Sequence, residues 1–321
     1  LALANAVVNL TAAFDELDEE SLEADQRAEL EDFYSTRVVD PANEAGLGPY
    51  TVDGLLPRTE AGRWLQYHYT LRPEGDPPPV DAGDGTTYSE VNAAVTPFIE
   101  EFSASLGGGD VLLLDESGTI VYSLEKRNDV GTNLVSGPYD ESALARAVTD
   151  SLPRARVGTA VLTNYTVTPT GGAALYAVSA VTSGSQVVGA LAVELPVQAI
   201  NAVVSSDGEW DDVGVGQGDV YVVGVDQTLQ SEPRAWQDDP EGYLERLRSG
   251  TEEEQQEARL IEFFGSPVGI QVVDTEPTRA ALSGEAFRGG ARNDAGEATF
   301  AASESFNVSG QQWVVVSEVP S

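Results

Sequence analysis

The sequence predicts an α+β protein in which a long N-terminal helix precedes two units, each built around a central antiparallel sheet. Three features support this prediction: a helix-favouring N-terminal region, a hairpin-like stretch that occurs twice, and an apolar strand that also occurs twice. The hairpin stretch GDVLLLDESGTIVYS at 109–123 returns as GDVYVVGVDQTLQS at 218–231, and ALAVELP at 190–196 returns in WVVVSEVP at 313–320. Because the start and the end of a unit both recur, one module used twice is the simplest account. A length of 321 residues also suits about two domains.

The first 35 residues contain neither Pro nor Gly and are rich in Ala, Leu and Glu, which favour helices. An apolar stripe recurs in steps of four and three residues, at Leu3, Val7, Leu10, Phe14 and Leu17. We expect a long N-terminal helix within residues 1–40, whose first 35 residues would span roughly 50 Å at about 1.5 Å per residue. The stripe suits either a core-facing helix or a dimer-forming spine. We expect a mixture, in which the stripe packs on the domains and the far side is open to a second copy.

Residues 41–206 form the predicted first domain. Prolines interrupt the region 37–90, which is therefore expected to be irregular. The elements that follow are a helix, a hairpin, a second helix, three strands and a third helix, at 90–106, 111–123, 140–151, 158–169, 173–181, 187–195 and 196–206.

Residues 207–321 form the predicted second domain. Its hairpin at 218–231 precedes two helical segments and three strands, expected at 239–250, 251–260, 268–275, 297–306 and 313–320.

The charge balance excludes several partners. The chain has 53 acidic and 17 basic residues, a formal net charge of −36, and a single lysine, Lys126. Such a surface repels phosphates, so binding to nucleic acid or to an anionic membrane through a basic face is not expected. The acidic excess is typical of a halophilic source, although a GC-rich genome would also favour Arg over Lys.

The chain has no cysteine, which excludes disulfides and thiolate metal sites, and no cofactor motif is present. It also lacks methionine, and no apolar run reaches the roughly 18 residues of a membrane helix. We therefore expect a piece of a longer protein, whose membrane segments would lie outside these residues.

Enzymatic chemistry has little support in the sequence. The only histidine, His68, would have to serve any Ser/His/Asp triad, and no nucleophile elbow, phosphate loop or metal-binding helix motif is present. Carboxylates are too abundant to single out an acid/base pair, so a carboxylate-dependent hydrolase stays only as a weaker alternative.

Five segments together resemble the double Cache sensor modules, which are tandem PAS-like domains found outside the membrane in bacterial and archaeal receptors. The segments are WLQYHYT at 64–70, DAGDGTTYSEVNAAVTPFIEEF at 81–102, VLLLDESGTIVYSLEK at 111–126, DVGTNLVSGPYDESALARA at 129–147 and VGALAVELPVQAIN at 188–201. The resemblance covers nearly the whole chain and is strongest to sensors of adenylate or guanylate cyclases, chemotaxis transducers and histidine kinases.

The resemblance implies a membrane-distal PAS-like domain that holds a small-molecule ligand and a smaller membrane-proximal one. It implies an extracellular or periplasmic, non-catalytic module of a membrane-anchored receptor that relays ligand binding to a cytoplasmic output domain. The far side of the N-terminal helix would be available for a homodimer. The alternative is a secreted or anchored surface binding protein without signalling output.

The sequence departs from the family in one respect. Amino-acid-binding members carry an Arg, a Trp and a Tyr before the helix at 140–151 and an Asp in the following strand region. Here SGPYDESALA keeps Tyr139 but lacks the Arg and Trp, and TNYTVTPTGG has no carboxylate. An amino-acid ligand held in that manner is not expected, because both charged partners are missing.

Six residues are expected to border the distal pocket: Tyr122, Lys126, Arg127, Tyr139, Tyr165 and Tyr176. Aromatic walls with a few polar groups are typical of small-molecule sites, although each tyrosine alone equally suits a half-buried strand. Lys126 and Arg127 could hold an anionic ligand or could neutralise neighbours such as Glu125 and Asp129.

Overall fold

The computed structural model describes residues 2–73, 75–152, 159–169, 171–205 and 216–321. Contacts divide the chain into a first unit, Leu1–Thr163 with Tyr176–Leu195, and a second unit, Asn164–Leu175 with Pro196–Ser321. Each unit contains an antiparallel sheet with helices packed against it, which confirms the predicted α+β class. The predicted domain division at 206 and 207 stays a prediction.

The first unit carries the N-terminal helices and the first sheet. Its helices are α1 (Ala2–Glu16), α2 (Ala24–Phe33), α3 (Asp40–Ala45), α4 (Val52–Leu55), α5 (Glu60–Tyr69), α6 (Thr87–Ser105) and α7 (Ala143–Ser151). Its strands are β1 (Val111–Leu114), β2 (Ile120–Ser123), β3 (Val161–Leu162), β5 (Gly171–Ser183, from Tyr176 onward) and β6 (Gln186–Leu195). They pair in the order β2-β1-β6-β5-β3.

The N-terminal region is helical, as predicted, but it is not one continuous helix. A 3-10 turn at Leu17–Glu19 ends α1, the backbone of Glu20 is extended (φ −87°, ψ 155°), and α2 starts anew with a capping box. Val7, Leu10 and Phe14 of the apolar stripe are buried, and α1 contacts α6, β2 and β6. The prediction of a single rod is therefore wrong, while the core-facing role of the stripe is confirmed.

The second unit begins with β4 (Thr166–Thr168) and the first residues of β5. Its helices are α8 (Val197–Ser205), α9 (Arg234–Asp238), α10 (Pro240–Arg248), α11 (Glu252–Phe264) and α12 (Glu276–Leu282), and its other strands are β7 (Asp219–Val223), β8 (Phe287–Arg292), β9 (Ala298–Val308) and β10 (Gln311–Pro320). The second sheet has the order β7-β10-β9-β8.

The two sheets share a strand order, which supports the predicted duplication. The strand that follows the repeated Gly-Asp, β1 or β7, pairs with the last strand of its unit, β6 or β10, and that strand pairs with the one before it, β5 or β9. The second hairpin is less regular than the first, since its return arm forms only an isolated bridge between Val223 and Leu229.

Two segments differ from the sequence predictions. Residues 62–69, expected to be irregular, lie in α5, whose start is capped by the Thr59 side chain. Residues 268–275, expected to be a strand, form a turn and a single bridge instead, because Gly269 has a φ of +71° and Thr275 already caps α12. Among the described residues, no helix combines the length and the apolar character needed to cross a bilayer.

Candidate functional site

A group of charged side chains, all of them buried except the half-buried Arg127, lies beside the paired ends of β1 and β6. We define the first-unit charge cluster as Asp110, Lys126, Arg127, Asp129 and Glu194. Asp110 directly precedes β1, Glu194 lies in β6, and the other three follow β2. The Glu194 backbone N–H donates to the Asp110 carbonyl at 2.8 Å. The two acidic residues therefore stand opposite each other on neighbouring antiparallel strands.

The Asp110 carboxylate is fully engaged within the protein. Its Oδ1 accepts three backbone N–H bonds at 2.7 to 3.1 Å, and its Oδ2 accepts the Ser123 hydroxyl at 2.9 Å. Gly109 allows the close approach of the strands, because a Cβ there would stand 2.1 Å from the Glu194 carbonyl oxygen. Asp110 thus anchors the loop after β2, which carries the rest of the cluster.

Arg127 neutralises the acidic pair. Its guanidinium lies 2.8 Å from Glu194 Oε2. Burial works to lower the pKa of Arg127, but Glu194 and Asp110 outweigh it and raise the pKa above its usual value. Of the two roles considered for this cation, the structure favours neutralisation, with Glu194 rather than Glu125 or Asp129 as the partner.

Lys126 is almost completely buried, with 2% of its surface exposed. Its ammonium donates to Asn92 Oδ1 and to the Ser123 carbonyl, both at 2.7 Å, and lies 3.7 Å from the centre of the Tyr122 ring. Burial lowers its pKa to about 7, although Asp110 opposes the shift. The interior therefore already satisfies this cation.

Asp129 is the exception in the cluster. It is 5% exposed, and its Oδ1 has no hydrogen-bond partner. Burial raises the pKa of Asp129 to about 7, Asp110 adds to the rise, and Arg127 opposes it. This carboxyl is thus buried with unused hydrogen-bonding capacity.

Gln66 holds the loop that carries Asp129. Its buried amide donates to the carbonyls of Asn128 and Val130 at 2.7 and 2.8 Å. The Tyr34 hydroxyl lies 2.6 Å from Gln66 Oε1, so the N-terminal helical region is bonded into the same network. The segment WLQYHYT therefore contributes a positioning side chain beside the cluster.

The predicted tyrosines fall in both units, and all four are buried. Tyr122 packs on Lys126, Tyr139 accepts a hydrogen bond from the Asn128 amide at 3.2 Å, and Tyr176 interacts electrostatically with Arg127. Tyr165 belongs to the second unit, where its backbone N–H donates to Gln230 at 2.8 Å. The structure thus gathers five of the six predicted residues in the first unit.

Sequence reasoning missed Asp110, Asp129, Glu194 and Gln66 as members of the site. One signal could have found two of them: Asp110 abuts the apolar run VLLL, and Glu194 interrupts the apolar strand VVGALAVEL. An acidic residue in a strand buried on both faces needs a partner. Asp129 and Gln66 lie in polar segments and give no such signal.

The cluster offers groups for binding and none arranged for metal chemistry. In the part of the chain that the structure describes, no group of three or more His, Asp or Glu side chains could hold a metal ion. His68 lies outside the cluster: it stacks on Trp64 with ring centres 4.4 Å apart, and burial lowers its pKa.

No protein-family model and no curated protein sequence matches the chain. Solved structures do match it. One is the sensor domain of the V. cholerae histidine kinase DctB, at 13% identity and a TM-score of 0.42, covering 73% of this chain and 80% of that one. Another is the ligand-binding domain of the Pseudomonas fluorescens chemoreceptor CtaA in complex with L-serine, at 14% identity and a TM-score of 0.42, covering 71% and 79%. A third is the ligand-binding domain of the Pseudomonas aeruginosa chemoreceptor PctB in complex with L-Arg, at 13% identity and a TM-score of 0.38, covering 71% and 83%. The solved structures that this chain resembles are thus sensor and ligand-binding domains of a histidine kinase and of chemoreceptors.

Proposed function

We propose that this chain is the extracytoplasmic small-molecule-sensing module of a transmembrane signal-transduction receptor, and that its first unit binds the ligand at the charge cluster. The observation that carries the proposal is the Asp129 carboxyl, which is buried while its Oδ1 has no partner. Asp129, Lys126 and Glu194 also lie in three of the segments that resemble double Cache modules.

The energetic argument compares two buried carboxyls. An ionised carboxylate without a partner costs several kcal/mol to bury, so such groups are normally bonded. Asp110 follows this rule through four hydrogen bonds. The Oδ1 of Asp129 does not, and a ligand group that donates a hydrogen bond or carries positive charge would complete it.

Signal relay follows from the bonding around Asp129. A ligand that favours one arrangement of the loop at 128–130 shifts the population of that arrangement. Gln66 bonds this loop, and Tyr34 bonds Gln66. A displacement of the loop would therefore reach the N-terminal helical region.

The proposal extends to the full-length receptor. The module would lie on the extracellular or periplasmic side of the membrane, would be anchored by segments outside these residues, and would have no catalytic activity of its own. The far side of α1, where Val8 is 47% exposed, would be available for a homodimer. A surface binding protein without output would share the binding site, and membrane helices flanking the segment in the parent gene would separate the two.

A thermal-shift screen tests the binding site. Small metabolites that carry hydroxyl or ammonium donors are added to the wild-type chain, to Asp129→Asn and to the control Asp140→Asn, which changes an exposed carboxyl in the same region. A ligand at one hundred times its Kd stabilises the folded state by about 2.7 kcal/mol. We expect this rise in the wild type and in Asp140→Asn, and its loss in Asp129→Asn.

Two outcomes contradict the proposal. One is a ligand that stabilises Asp129→Asn as strongly as the wild type. The other is a metabolite that the chain converts in a turnover assay, which would favour the hydrolase alternative.

A further inference from the structure

The second unit contains a cavity of about 110 Å³. Its chemically distinctive lining residues are Asp219, Tyr221, Tyr243, Arg246, Asp294 and Glu318. A wider surface groove shares Asp219 and Glu318 with the cavity, so both carboxyls border a route to solvent.

Two of these carboxyl groups belong to residues that lie directly opposite each other on neighbouring strands. Asp219 on β7 and Glu318 on β10 are register partners. Like charges directly opposite one another destabilise an antiparallel pair. Burial raises the pKa of Asp219 to about 6 and that of Glu318 to about 7, and Asp219 adds to the shift of Glu318.

The nearby cations are engaged elsewhere. Arg246 lies 3.2 Å from Asp294, and Arg234 lies 3.0 Å from Asp238. Among the described residues, Asp219 accepts hydrogen bonds from backbone N–H groups, including that of Arg234 at 3.0 Å. Within the described ranges, neither Asp219 nor Glu318 forms an ion pair. The opposed carboxyls therefore lack an ion-pair partner among the described residues, and Arg234 only partly offsets the charge of Asp219 by lowering its pKa.

An unpartnered hydroxyl lines the same cavity. Tyr221 is 3% exposed, and its hydroxyl has no hydrogen bond of normal geometry, although it lies near enough to Glu318 to lower the pKa of that carboxyl. Tyr221 follows Asp219 by two residues on β7, so both side chains lie on one face of the sheet. Tyr243 adds a second aromatic wall.

The first unit shows what completes an equivalent pair. Asp110 and Glu194 occupy the same places in the repeat as Asp219 and Glu318: the Asp follows the repeated glycine, and the Glu precedes an aliphatic residue and Pro. There the Arg127 guanidinium supplies the positive charge, 2.8 Å from Glu194. In the second unit a cavity borders the pair instead.

We propose that the second-unit cavity binds a small organic cation, of guanidinium or ammonium type, whose charge lies against Asp219 and Glu318. Such a ligand takes the role that Arg127 has in the first unit. Tyrosine rings suit an organic cation through their negative faces. Among the described residues no three acidic or histidine side chains are placed to hold a metal ion.

The test compares two probes of matched shape and different charge. Methylguanidinium is a planar cation, and N-methylurea is its neutral isostere. Each is titrated into the wild-type chain by calorimetry and in thermal shift, with potassium chloride at equal ionic strength as the control for screening. We expect saturable binding and a higher Tm with methylguanidinium alone.

Variants locate the site. Glu318→Gln and Asp219→Asn should each weaken methylguanidinium binding at least tenfold. Glu304→Gln, which changes an exposed carboxyl on β9 of the same unit, should leave it unchanged. Asp129→Asn in the first unit should also leave it unchanged, which separates this site from the one proposed above. Tyr221→Phe provides a second test if a carboxyl variant fails to fold, since it changes no charge.

Three results would overturn the proposal. The first is binding of N-methylurea as strong as that of methylguanidinium. The second is a rise in Tm with potassium chloride equal to that with methylguanidinium. The third is methylguanidinium binding that is retained after both carboxyl substitutions in folded protein.

Discussion

The two units bury the same pair of acidic residues in different ways. In the first, Asp110 and Glu194 are compensated by Arg127 and by backbone N–H groups. In the second, Asp219 and Glu318 have no cation partner among the described residues and border a cavity of about 110 Å³. Both copies of the duplicated sheet thus retain two opposed carboxyl groups, but only the first unit neutralises them with a side chain of its own.

The difference separates structural charge from charge that is open to a ligand. A buried acid with a built-in partner stabilises one arrangement of the chain, whereas an acid without one disfavours its own ionised form. Removing the built-in partner should leave the acids of the first unit uncompensated, as those of the second unit are. Removing an uncompensated acid should stabilise the folded state.

The largest effect is expected for Arg127→Ala. This change leaves Glu194 and Asp110 buried without their cation, so the free energy of unfolding should fall by on the order of 3 kcal/mol. Urea denaturation measures the loss. Added methylguanidinium should restore part of the stability, because it can occupy the space of the lost guanidinium.

The control for Arg127→Ala is Arg248→Ala. Arg248 pairs with Glu241 and Glu262 on the surface, where its side chain is 39% exposed. We expect a much smaller loss than for Arg127→Ala, and methylguanidinium should stabilise this variant no more than it stabilises the wild type. Equal losses in the two variants would show that the Arg127 pair contributes no more than a surface pair.

Asp129→Asn should raise stability, and only above acidic pH. The pKa of Asp129 rises from 3.8 to about 7 on folding, so between these values the folded chain keeps a proton that the unfolded chain has released. Stability therefore falls as the pH rises through this window. The Asn variant avoids this loss and should be more stable by on the order of 2 kcal/mol at pH 8, with no gain near pH 3. Urea titrations at both pH values measure it, and a variant less stable than wild type at pH 8 would mean that Asp129 has a partner.

Glu318→Gln should act in the same direction in the second unit, with a smaller gain. The pKa of Glu318 rises from 4.5 to about 7, so wild-type stability falls between these values. We expect the variant to gain about 1 kcal/mol at pH 8 in the absence of ligand. Thermal melts at pH 4 and pH 8 test this, with Glu304→Gln as the exposed control. A gain at pH 4 as large as that at pH 8 would rule out the titration of Glu318 as its cause.

Sequence patterns predicted the fold class because apolar residues recur periodically in its helices and strands, and because both the first and the last segment of the repeated unit recur. They failed where local chemistry overrides periodicity. A Thr side chain caps α5 in a region rich in prolines, and Gly269 turns a β-branched run away from a sheet. The apolar pattern alone also predicted one continuous helix over α1 and α2, because the extended backbone at Glu20 leaves the spacing of the apolar residues unchanged.

The candidate sites were harder to predict because burial of charge depends on contacts distant in sequence. Lys126 and Arg127 could be singled out as rare cations, but their partners Asn92 and Glu194 lie 34 and 67 residues away. The cavity of the second unit depends on the register of β7 with β10, which no local signal fixes.

The smallest expected effect is a contrast between two buried tyrosines, one in each unit. Tyr122 donates to or accepts from the Thr96 hydroxyl at 3.1 Å, whereas the Tyr221 hydroxyl has no well-formed hydrogen bond. Tyr122→Phe should therefore lose about 1 kcal/mol, and Tyr221→Phe should lose nothing or gain a few tenths, about the desolvation cost of an idle hydroxyl. Urea denaturation of both variants in parallel measures the contrast. Both substitutions remove one hydroxyl. An equal loss of unfolding free energy in the two variants could therefore arise only if the Tyr221 hydroxyl is hydrogen-bonded in solution. The cavity would then lose the unpartnered polar group that marks it as open to a ligand.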